Sequence, residues 1–264
     1  MVAEAMPEVT EQPVFEFQRG KLAGALEWCL RAVCKDKQRP ILCGVHFDRE
    51  TQSIMSTDMH RAHVATGFYL PYSFTLATDS AKDLLKELKR PVATVLHFHT
   101  EGCELVSGQW RGELIEGEFP RVDRVTPKED DREASAQFIA TDDLCAVLKY
   151  AGQCPSYRKN FELPVNFQVG GKKVSVWHDV NETQVAFMHS EAECNTEGDT
   201  ITVFCRPSYL RDALLQPNRR SQDTAWPQLD FWADLSAFVI RHNDRELYAV
   251  IMPCRRDVER SRRE

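Results

Sequence analysis

Two halves of this chain follow one plan, and this internal repeat is the feature that most constrains the fold. Each half is predicted to open with a short strand, at residues 14–17 and 137–140. Each strand leads into a segment whose apolar side chains recur with the period of a helix. Leu22 in the first half corresponds to Leu144 in the second half. A repeat of domain length indicates two copies of the same α+β unit.

Both halves then alternate polar and apolar residues over short runs, which is the pattern of half-buried strands. A second helix is predicted in each half, at residues 80–89 and 208–215, and Pro91 and Pro217 end these helices. The sequence therefore predicts an α+β fold of two tandem domains, each with two helices packed on antiparallel β-sheets. The other predicted strands are residues 41–47, 53–56, 63–68, 93–99, 104–110 and 112–118, then 161–169, 173–178, 184–189, 228–232, 237–242 and 246–252.

Composition is that of a globular protein and indicates where the domains end. Of the 264 residues, 42% are hydrophobic and 28% are charged. No apolar run reaches the roughly 18–20 residues that are needed to span a membrane. Residues 128–136 carry charge and almost no apolar side chains, so they are predicted to link domains at residues 14–127 and 137–256. Residues 1–13 and 257–264 are predicted to be polar, flexible tails.

Cysteine usage and the first residues of the chain indicate the compartment. None of the nine cysteines forms a Cys-x-x-Cys pair, and Cys29, Cys43 and Cys205 lie in apolar surroundings. Such usage favours buried free thiols in a reducing cytoplasm over disulfides or zinc. Residues 1–13 carry acids where a secretory signal would carry basic residues. We therefore expect a cytoplasmic protein.

Basic charge is concentrated in the predicted helices, although the chain has a net charge of −7. Residues 20–39, 80–90, 141–159 and 206–220 carry net charges of +3, +2, +1 and +3, which leaves −16 for the rest. Such residues can be solvated helix exteriors, or they can form a surface that attracts nucleic-acid phosphates without reading bases. The residues predicted to face DNA are Lys21, Arg31, Lys35, Lys37, Lys82, Lys86, Lys89, Arg90, Lys149, Arg158, Lys159, Arg206, Arg211, Arg219 and Arg220.

Three short strings are more specific than the periodicity. They are Thr-Asp-Met-His-Arg-Ala at residues 57–62, Phe-Pro-Arg-Val-Asp-Arg-Val at 119–125 and Leu-Tyr-Ala-Val-Ile-Met-Pro-Cys-Arg at 247–255. Each string alone also fits a polar loop, an anchored connector or a final strand. Together, and in this order, they resemble segments of the bacterial sliding clamp, the β subunit of DNA polymerase III. The resemblance runs from about residue 15 to 255 and covers the second and third of that family's three domains.

The resemblance implies two tandem DNA-clamp domains and a function without chemistry. A clamp encircles duplex DNA and tethers polymerase or repair proteins that carry short linear motifs, and a clamp loader opens the ring. A family ring contains six domains, so a chain of two domains implies a homotrimer. The host would be a bacterial or phage-infected cell. The alternative is a clamp-like adaptor that binds partner peptides without encircling DNA.

The resemblance also implies one pocket for partner peptides at the join of the two halves. Its apolar walls and few fixed polar groups suit a short linear segment. Met59 stands where the family usually has glycine, Ala62 replaces a larger aliphatic residue, and Cys254 replaces a second methionine. The predicted pocket residues are Leu42, Thr57, His60, Arg61, Pro120, Arg124, Val125, Val250, Ile251, Met252, Pro253 and Arg255.

Enzymatic signatures are missing from the sequence. It contains no His-Glu-x-x-His, no Gly-x-Ser-x-Gly and no glycine-rich loop that would hold a phosphate. His97 and His99 share one face of a predicted strand and could bind a metal, but such pairs are common on exposed strands. We therefore predict a protein that is not an enzyme and that needs neither a metal nor a cofactor.

Overall fold

The computed structural model describes residues 14–90, 95–138, 148, 164–177, 189–215, 227–232, 236–242 and 246–254. Three α-helices and sixteen strands lie in these segments, with short 3-10 helices at Pro40–Leu42, Val122–Arg124 and Glu129–Asp131. The elements are β1 (Phe15–Gln18), α1 (Arg19–Cys29), β2 (Gly44–Asp48), β3 (Ser53–Thr57), β4 (Arg61–Thr66), β5 (Phe74–Ala77), α2 (Thr78–Leu88), β6 (Val95–Glu101), β7 (Glu104–Ser107), β8 (Trp110–Glu113), β9 (Ala134–Phe138), β10 (Val165–Gly170), β11 (Lys173–Trp177), β12 (His189–Gly198), β13 (Ile201–Cys205), α3 (Pro207–Leu214), β14 (Gln228–Phe231), β15 (Phe238–Arg241) and β16 (Leu247–Ile251).

All strand pairs are antiparallel, and the strands form two sheets. The smaller sheet has the order β1-β6-β7-β8. The larger sheet has the order β13-β10-β11-β12-β9-β14-β15-β16-β4-β3-β2-β5, so it runs through both halves of the chain. The halves meet where β16 pairs with β4, from Leu247 opposite Ala65 to Ile251 opposite Arg61. The two domains therefore share one continuous sheet.

The helices pack on one face of the larger sheet, and the main core lies on that side. The α1 residues Leu22, Leu26 and Cys29 are fully buried, as their spacing predicts. In the first half, phenylalanines on β1 and β6 face phenylalanines on β2 and β5, and Phe15 and Phe98 stack with their ring centroids 6.0 Å apart. We call the opposite side of the larger sheet, which carries no described α-helix, the outer face.

The predicted α+β class with helices on antiparallel sheets is confirmed, but several bounds differ. The sequence pattern predicted neither β5 nor β13, because both are short strands that lead almost directly into helices. It placed a strand at residues 184–189, whereas β12 spans His189–Gly198 and is rich in polar residues. The first half of β12 pairs with β11 and its second half pairs with β9, and this pairing outweighs its low strand propensity. Residues 184–188 lie outside the described segments.

Two predicted boundaries shift as well. The basic segment at residues 20–39 extends well past α1, which ends at Cys29, so Lys35 and Lys37 lie in the loop that follows. Strand β9 starts at Ala134, inside the predicted linker at 128–136. The first helix predicted for the second half, within residues 141–159, lies outside the described residues apart from Leu148, which is helical and buried.

The connector between the halves, residues 114–133 between β8 and β9, is fixed to the outer face by hydrogen bonds. Trp232 donates from Nε1 to the Lys128 carbonyl at 2.7 Å. Asp230, which is only 2% exposed, accepts from Arg132 Nη1 at 3.0 Å and from Arg241 Nε at 3.0 Å. A buried carboxylate needs such partners, because its desolvation would otherwise be costly. Asp230 therefore holds the end of the connector against β14 and β15.

We predict that Asp230→Ala lowers the free energy of unfolding by about 3 kcal/mol, because it leaves Arg132 and Arg241 close together without their shared counterion. Urea denaturation followed by tryptophan fluorescence measures the change. Asp130→Ala, at an exposed position in the neighbouring 3-10 helix, is the control and should shift stability by less than about 0.5 kcal/mol. Equal stability of the Asp230→Ala protein and the wild type would contradict this role.

Candidate functional site

A second apolar cluster lies on the outer face at the join of the halves, apart from the main core. We call it the outer-face cluster, and both halves contribute to it. Its residues are brought together by strands β3, β4, β15 and β16 and by the connector that covers them. The buried members are Leu42, Met55, Ala62, Val64, Phe119, Val122, Trp232, Ala237, Val239 and Val250.

Large apolar side chains stand exposed beside this cluster. Val125 follows the 3-10 helix that supplies Val122, and it is 53% exposed. Met252 follows Val250 by two positions and is 39% exposed. The Met252 backbone N–H donates to the His60 carbonyl at 2.9 Å, which sets the loop between β3 and β4 beside the end of β16. We call these exposed side chains, together with Met59 in that loop, the rim.

The structure brings most of the predicted pocket residues together on this side of the sheet. Leu42 and Val250 lie in the cluster, and Thr57 shares the face of Met55 on β3. Its Oγ1 donates to the Arg61 carbonyl at 2.7 Å. Around them lie Val125 and Met252 of the rim, the exposed His60 and Arg124, and the partly buried Pro120 and Pro253. Arg255 lies outside the described residues.

Ile251 and Arg61 differ from the prediction. Successive side chains of a strand point to opposite faces, so Ile251 faces the helices while Val250 faces outward. Arg61 is paired with Ile251 across β4 and β16 and points to the same side. The prediction that these two side chains line the pocket is therefore corrected: both lie beneath the sheet, on the side of the helices.

Arg61 instead joins the two halves. Its Nε lies 3.2 Å from Asp58 Oδ2, and its Nη1 lies 2.8 Å from Asp212 Oδ2 on α3. Its Nη2 donates to the Arg31 carbonyl, and its guanidinium stacks 4.4 Å from the Tyr209 ring centroid. The planar guanidinium suits this set of partners, because its donors point in fixed directions. We call this arrangement the Arg61 clasp.

Two of the residues predicted to face DNA also hold the halves together. Arg31 donates from Nη1 to the carbonyls of Asp212, at 2.9 Å, and of Leu215. Burial lowers the pKa of Arg31 from its ordinary value, although Asp212 opposes this shift. Lys21 lies 2.8 Å from Glu246, in the second half. The structure corrects the prediction for Arg31 in particular, because its guanidinium is committed to α3.

The other predicted DNA-facing residues that the structure describes are exposed or carry weak pairs. Lys35 and Lys37 form no ion pair with any described residue. Lys82 and Lys86 pair along α2 with Asp79 and Asp83 at 3.2 and 3.7 Å, and such exposed pairs contribute little. Lys89, Arg90, Arg206 and Arg211 also lie at helix ends or on helices. Lys149, Arg158, Lys159, Arg219 and Arg220 lie outside the described residues.

A cavity of about 510 Å³, which the sequence did not predict, adjoins the cluster. Four acidic residues line it, namely Asp48, Glu50, Glu116 and Glu118. Phe119 separates it from the outer-face cluster and stacks on His46 with ring centroids 4.5 Å apart. The four acidic residues distinguish this cavity from a typical ligand pocket, whose walls are mainly apolar.

The described residues offer no metal centre. No group of three or more His, Cys, Asp or Glu side chains in these segments could hold an ion. His97 lies 3.1 Å from Glu16, and His99 lies 3.0 Å from Glu101, so each histidine faces its own carboxylate. In the described segments, no helix is long and apolar enough to cross a membrane.

Tandem α+β units, helices on one side and a shared outer sheet together form the fold of the DNA sliding clamps. A DNA polymerase III β chain from Streptococcus pneumoniae matches 96% of this chain over 67% of its own length, at 18% identity and a TM-score of 0.77. The β subunit from Thermotoga maritima matches 96% over 68%, at 18% identity and a TM-score of 0.76. A Bartonella birtlesii clamp bound to griselimycin matches 96% over 69%, at 15% identity and a TM-score of 0.74.

At these identities, the likeness establishes the fold, and the predicted resemblance to bacterial sliding clamps is confirmed at that level. The chain spans about two thirds of the length of these clamps. No protein-family model and no curated protein matches the sequence. The fold is thus recognisable in three dimensions where the sequence has diverged.

One buried and one half-buried histidine, His63 and His46, make stability depend on pH. His63 stacks on Trp28 with ring centroids 4.3 Å apart, and its Nδ1 lies 3.0 Å from the Trp28 carbonyl. Burial, reinforced by the positive charge of Arg61, holds the pKa of His63 well below its ordinary value of 6.5. Burial likewise lowers the pKa of His46 to about 4. Both side chains are therefore neutral in the folded protein at neutral pH.

We predict that the free energy of unfolding falls as pH drops below 6.5. The folded pKa values are depressed, so the unfolded chain binds more protons there, and each histidine contributes up to about 1.4 kcal/mol per pH unit. His63→Asn keeps an N–H donor for the Trp28 carbonyl but does not titrate, so its slope between pH 7.5 and 5 should be shallower. His97→Asn, at an exposed position, is the control. Urea denaturation at several pH values tests this, and an unchanged slope in His63→Asn would contradict it.

Proposed function

We propose that this protein is a sliding clamp, a processivity factor that encircles duplex DNA and tethers polymerase or repair proteins. The observation that carries the proposal is the clamp fold over 96% of the chain, combined with an apolar site where the three clamp-like strings converge. Clamps act by topology, so this function needs no catalytic group. The proposed setting is the cytoplasm of a bacterial or phage-infected cell.

The ring is proposed to contain three chains. The chain spans about two thirds of the length of known bacterial clamps, so three copies supply the six domains of a ring. Head-to-tail contacts close into a ring only when the rotation per subunit fits the number of copies. A closed ring needs a clamp loader to open it around DNA.

The outer-face cluster and its rim are proposed to bind a linear segment of the partner. Val250 and Leu42 give the site a buried apolar floor, and Val125 and Met252 offer exposed apolar surface beside it. Arg124 is an exposed cation next to Val125, without an ion pair to any described residue. This combination favours a segment with bulky apolar residues and an acidic residue.

One observation favours an adaptor that binds peptides without encircling DNA. Lys21 and Arg31, which were predicted to face DNA, are committed to contacts between the halves. Mass in solution separates the two proposals, because a ring of this chain must be an oligomer. We expect light scattering at micromolar concentration to give three times the chain mass of 30.3 kDa. A stable monomer would favour the adaptor.

We predict that the exposed helix-side lysines give salt-dependent, sequence-independent binding to duplex DNA. The triple change of Lys82, Lys86 and Lys89 to alanine, on α2 and at its end, should reduce the magnitude of the slope of log affinity against log salt by about 0.9 for each lost phosphate contact. The control triple, Arg49, Arg111 and Lys128 to alanine, removes the same charge away from the helices. Fluorescence anisotropy with two unrelated duplexes measures both proteins. Equal slopes for the two triples would show that the helix side does not face DNA.

We predict that Met252→Ala combined with Pro253→Ala weakens peptide binding about tenfold or more, since apolar anchors dominate such sites. The probe is the tightest binder from a library of labelled hexapeptides built from Leu, Phe, Asp and Gln, measured by anisotropy. Tyr69→Ala is the control, because that side chain is 77% exposed in the loop that follows β4, at the opposite end of that strand from His60. Undiminished affinity in the double variant would remove the outer-face site from the proposal.

A further inference from the structure

Met59 adopts a backbone conformation that side-chain-bearing residues rarely adopt. Its φ angle is +73°, in the left-handed region where the Cβ atom approaches the following carbonyl oxygen. Among the described non-glycine residues, Gln52 and Lys172 also have positive φ angles, of 51° and 66°. Strain of this kind persists where the surrounding structure fixes the conformation, and it often marks a functional position.

The other two positions have local explanations that Met59 lacks. The Gln52 side chain bonds the Leu70 backbone N–H at 2.9 Å and the Arg49 carbonyl at 2.6 Å, so its amide stabilises the turn. Lys172 follows Gly171 in a two-residue hairpin turn between β10 and β11, a turn type that uses positive φ at both positions. Met59 carries an apolar side chain that cannot form such bonds, and half of its surface is exposed.

The loop that holds Met59 is fixed by hydrogen bonds of its neighbours. Asp58 Oδ1 accepts from the backbone N–H groups of His60 and Arg61, both at 3.0 Å. Thr57 Oγ1 accepts from the Met59 N–H at 3.0 Å. The His60 carbonyl accepts from Met252 at 2.9 Å, which ties the loop to the end of β16. The position of Met59 beside Met252 is therefore set by the backbone and does not depend on its own side chain.

We propose that Met59 is a specificity-determining residue of the outer-face site, where it contacts a bulky apolar side chain of the partner's segment. This inference rests on the proposed peptide-binding function and adds one contact to it. Met59 and Met252 lie on segments joined by the His60–Met252 backbone hydrogen bond, and both side chains are exposed. Flexible thioether side chains adapt to aliphatic or aromatic partners. The strained backbone is retained because the exposed side chain contributes to binding.

The substitution Met59→Gly distinguishes an effect on peptide affinity from an effect on stability. Met59→Gly removes the side chain and also the strain, whereas Met59→Ala removes the side chain and keeps the strain. Both variants should bind the selected hexapeptide about five- to tenfold more weakly, since each loses the same apolar contact. The melting temperature of Met59→Gly should equal or exceed that of the wild type. Lys172→Gly relieves similar strain in a remote turn, so it should show the same thermal behaviour with affinity unchanged within about twofold.

A double-mutant cycle identifies the partner residue. Each apolar residue of the hexapeptide is replaced by alanine in turn, and its affinity is measured for the wild type and for Met59→Gly. One peptide position should lose most of its effect when Met59 is glycine, which is the signature of a direct contact. If the affinity losses from Met59→Gly and from each peptide substitution simply add at every peptide position, Met59 makes no direct contact with the peptide.

The outcomes separate this inference from the proposed function. Full affinity in Met59→Gly, together with lost affinity in the Met252 and Pro253 double variant, overturns the role of Met59 and leaves the site in place. Weaker binding by Met59→Gly but not by Met59→Ala also overturns it, because loop flexibility then explains the loss. Full affinity in all of these variants, or the absence of any binder in the hexapeptide library, would contradict peptide binding at the outer-face site.

Discussion

The pairing of β16 with β4 is the interaction on which the rest of the structure depends. Five residue pairs, from Leu247 opposite Ala65 to Ile251 opposite Arg61, turn two separate sheets into one. This pairing fixes which side chains of both halves share a face, because successive residues on a strand point to opposite sides. The Trp28 Nε1 donates to the Tyr248 carbonyl at 3.3 Å and reinforces the same join from the helix side. Both the main core and the outer-face cluster therefore span the boundary between the domains.

Charged residues at the join of the halves have a structural role that charged residues on the exposed helix surface lack. Arg61 and Arg31 lie under the sheet, where an arginine is tolerated only with close partners. Asp212 and nearby carbonyl groups provide those partners, so these arginines connect the first half to α3. The lysines of α2, Lys82 and Lys86, are exposed, and among the described residues they pair with Asp79 and Asp83 of the same helix. The basic residues at the join are thus structural, whereas those on α2 stay exposed.

The outer-face site joins a rigid apolar floor to a rim that the solvent reaches. The floor is part of a packed cluster, so changes there alter stability as well as the proposed peptide binding. The rim residues Met59, Val125 and Met252 are exposed, so substitutions at these positions can test recognition without disturbing the core. The fold itself is shared with clamps of 13–18% identity, because hydrophobic alternation and strand pairing specify it more than particular residues do.

The sequence by itself determined the class of the fold, the internal repeat, the buried face of α1 and most of the residues around the outer-face site. These follow from local periodicity and from three short strings that resemble a known family. Only the tertiary structure decided the roles of Arg61 and Ile251, because the side of a strand that faces the helices depends on its partner. Asp212 lies 151 positions from Arg61 in the chain, so no local pattern connects them. Strand β12 is likewise polar in sequence, and it is a strand because β11 and β9 supply its hydrogen bonds.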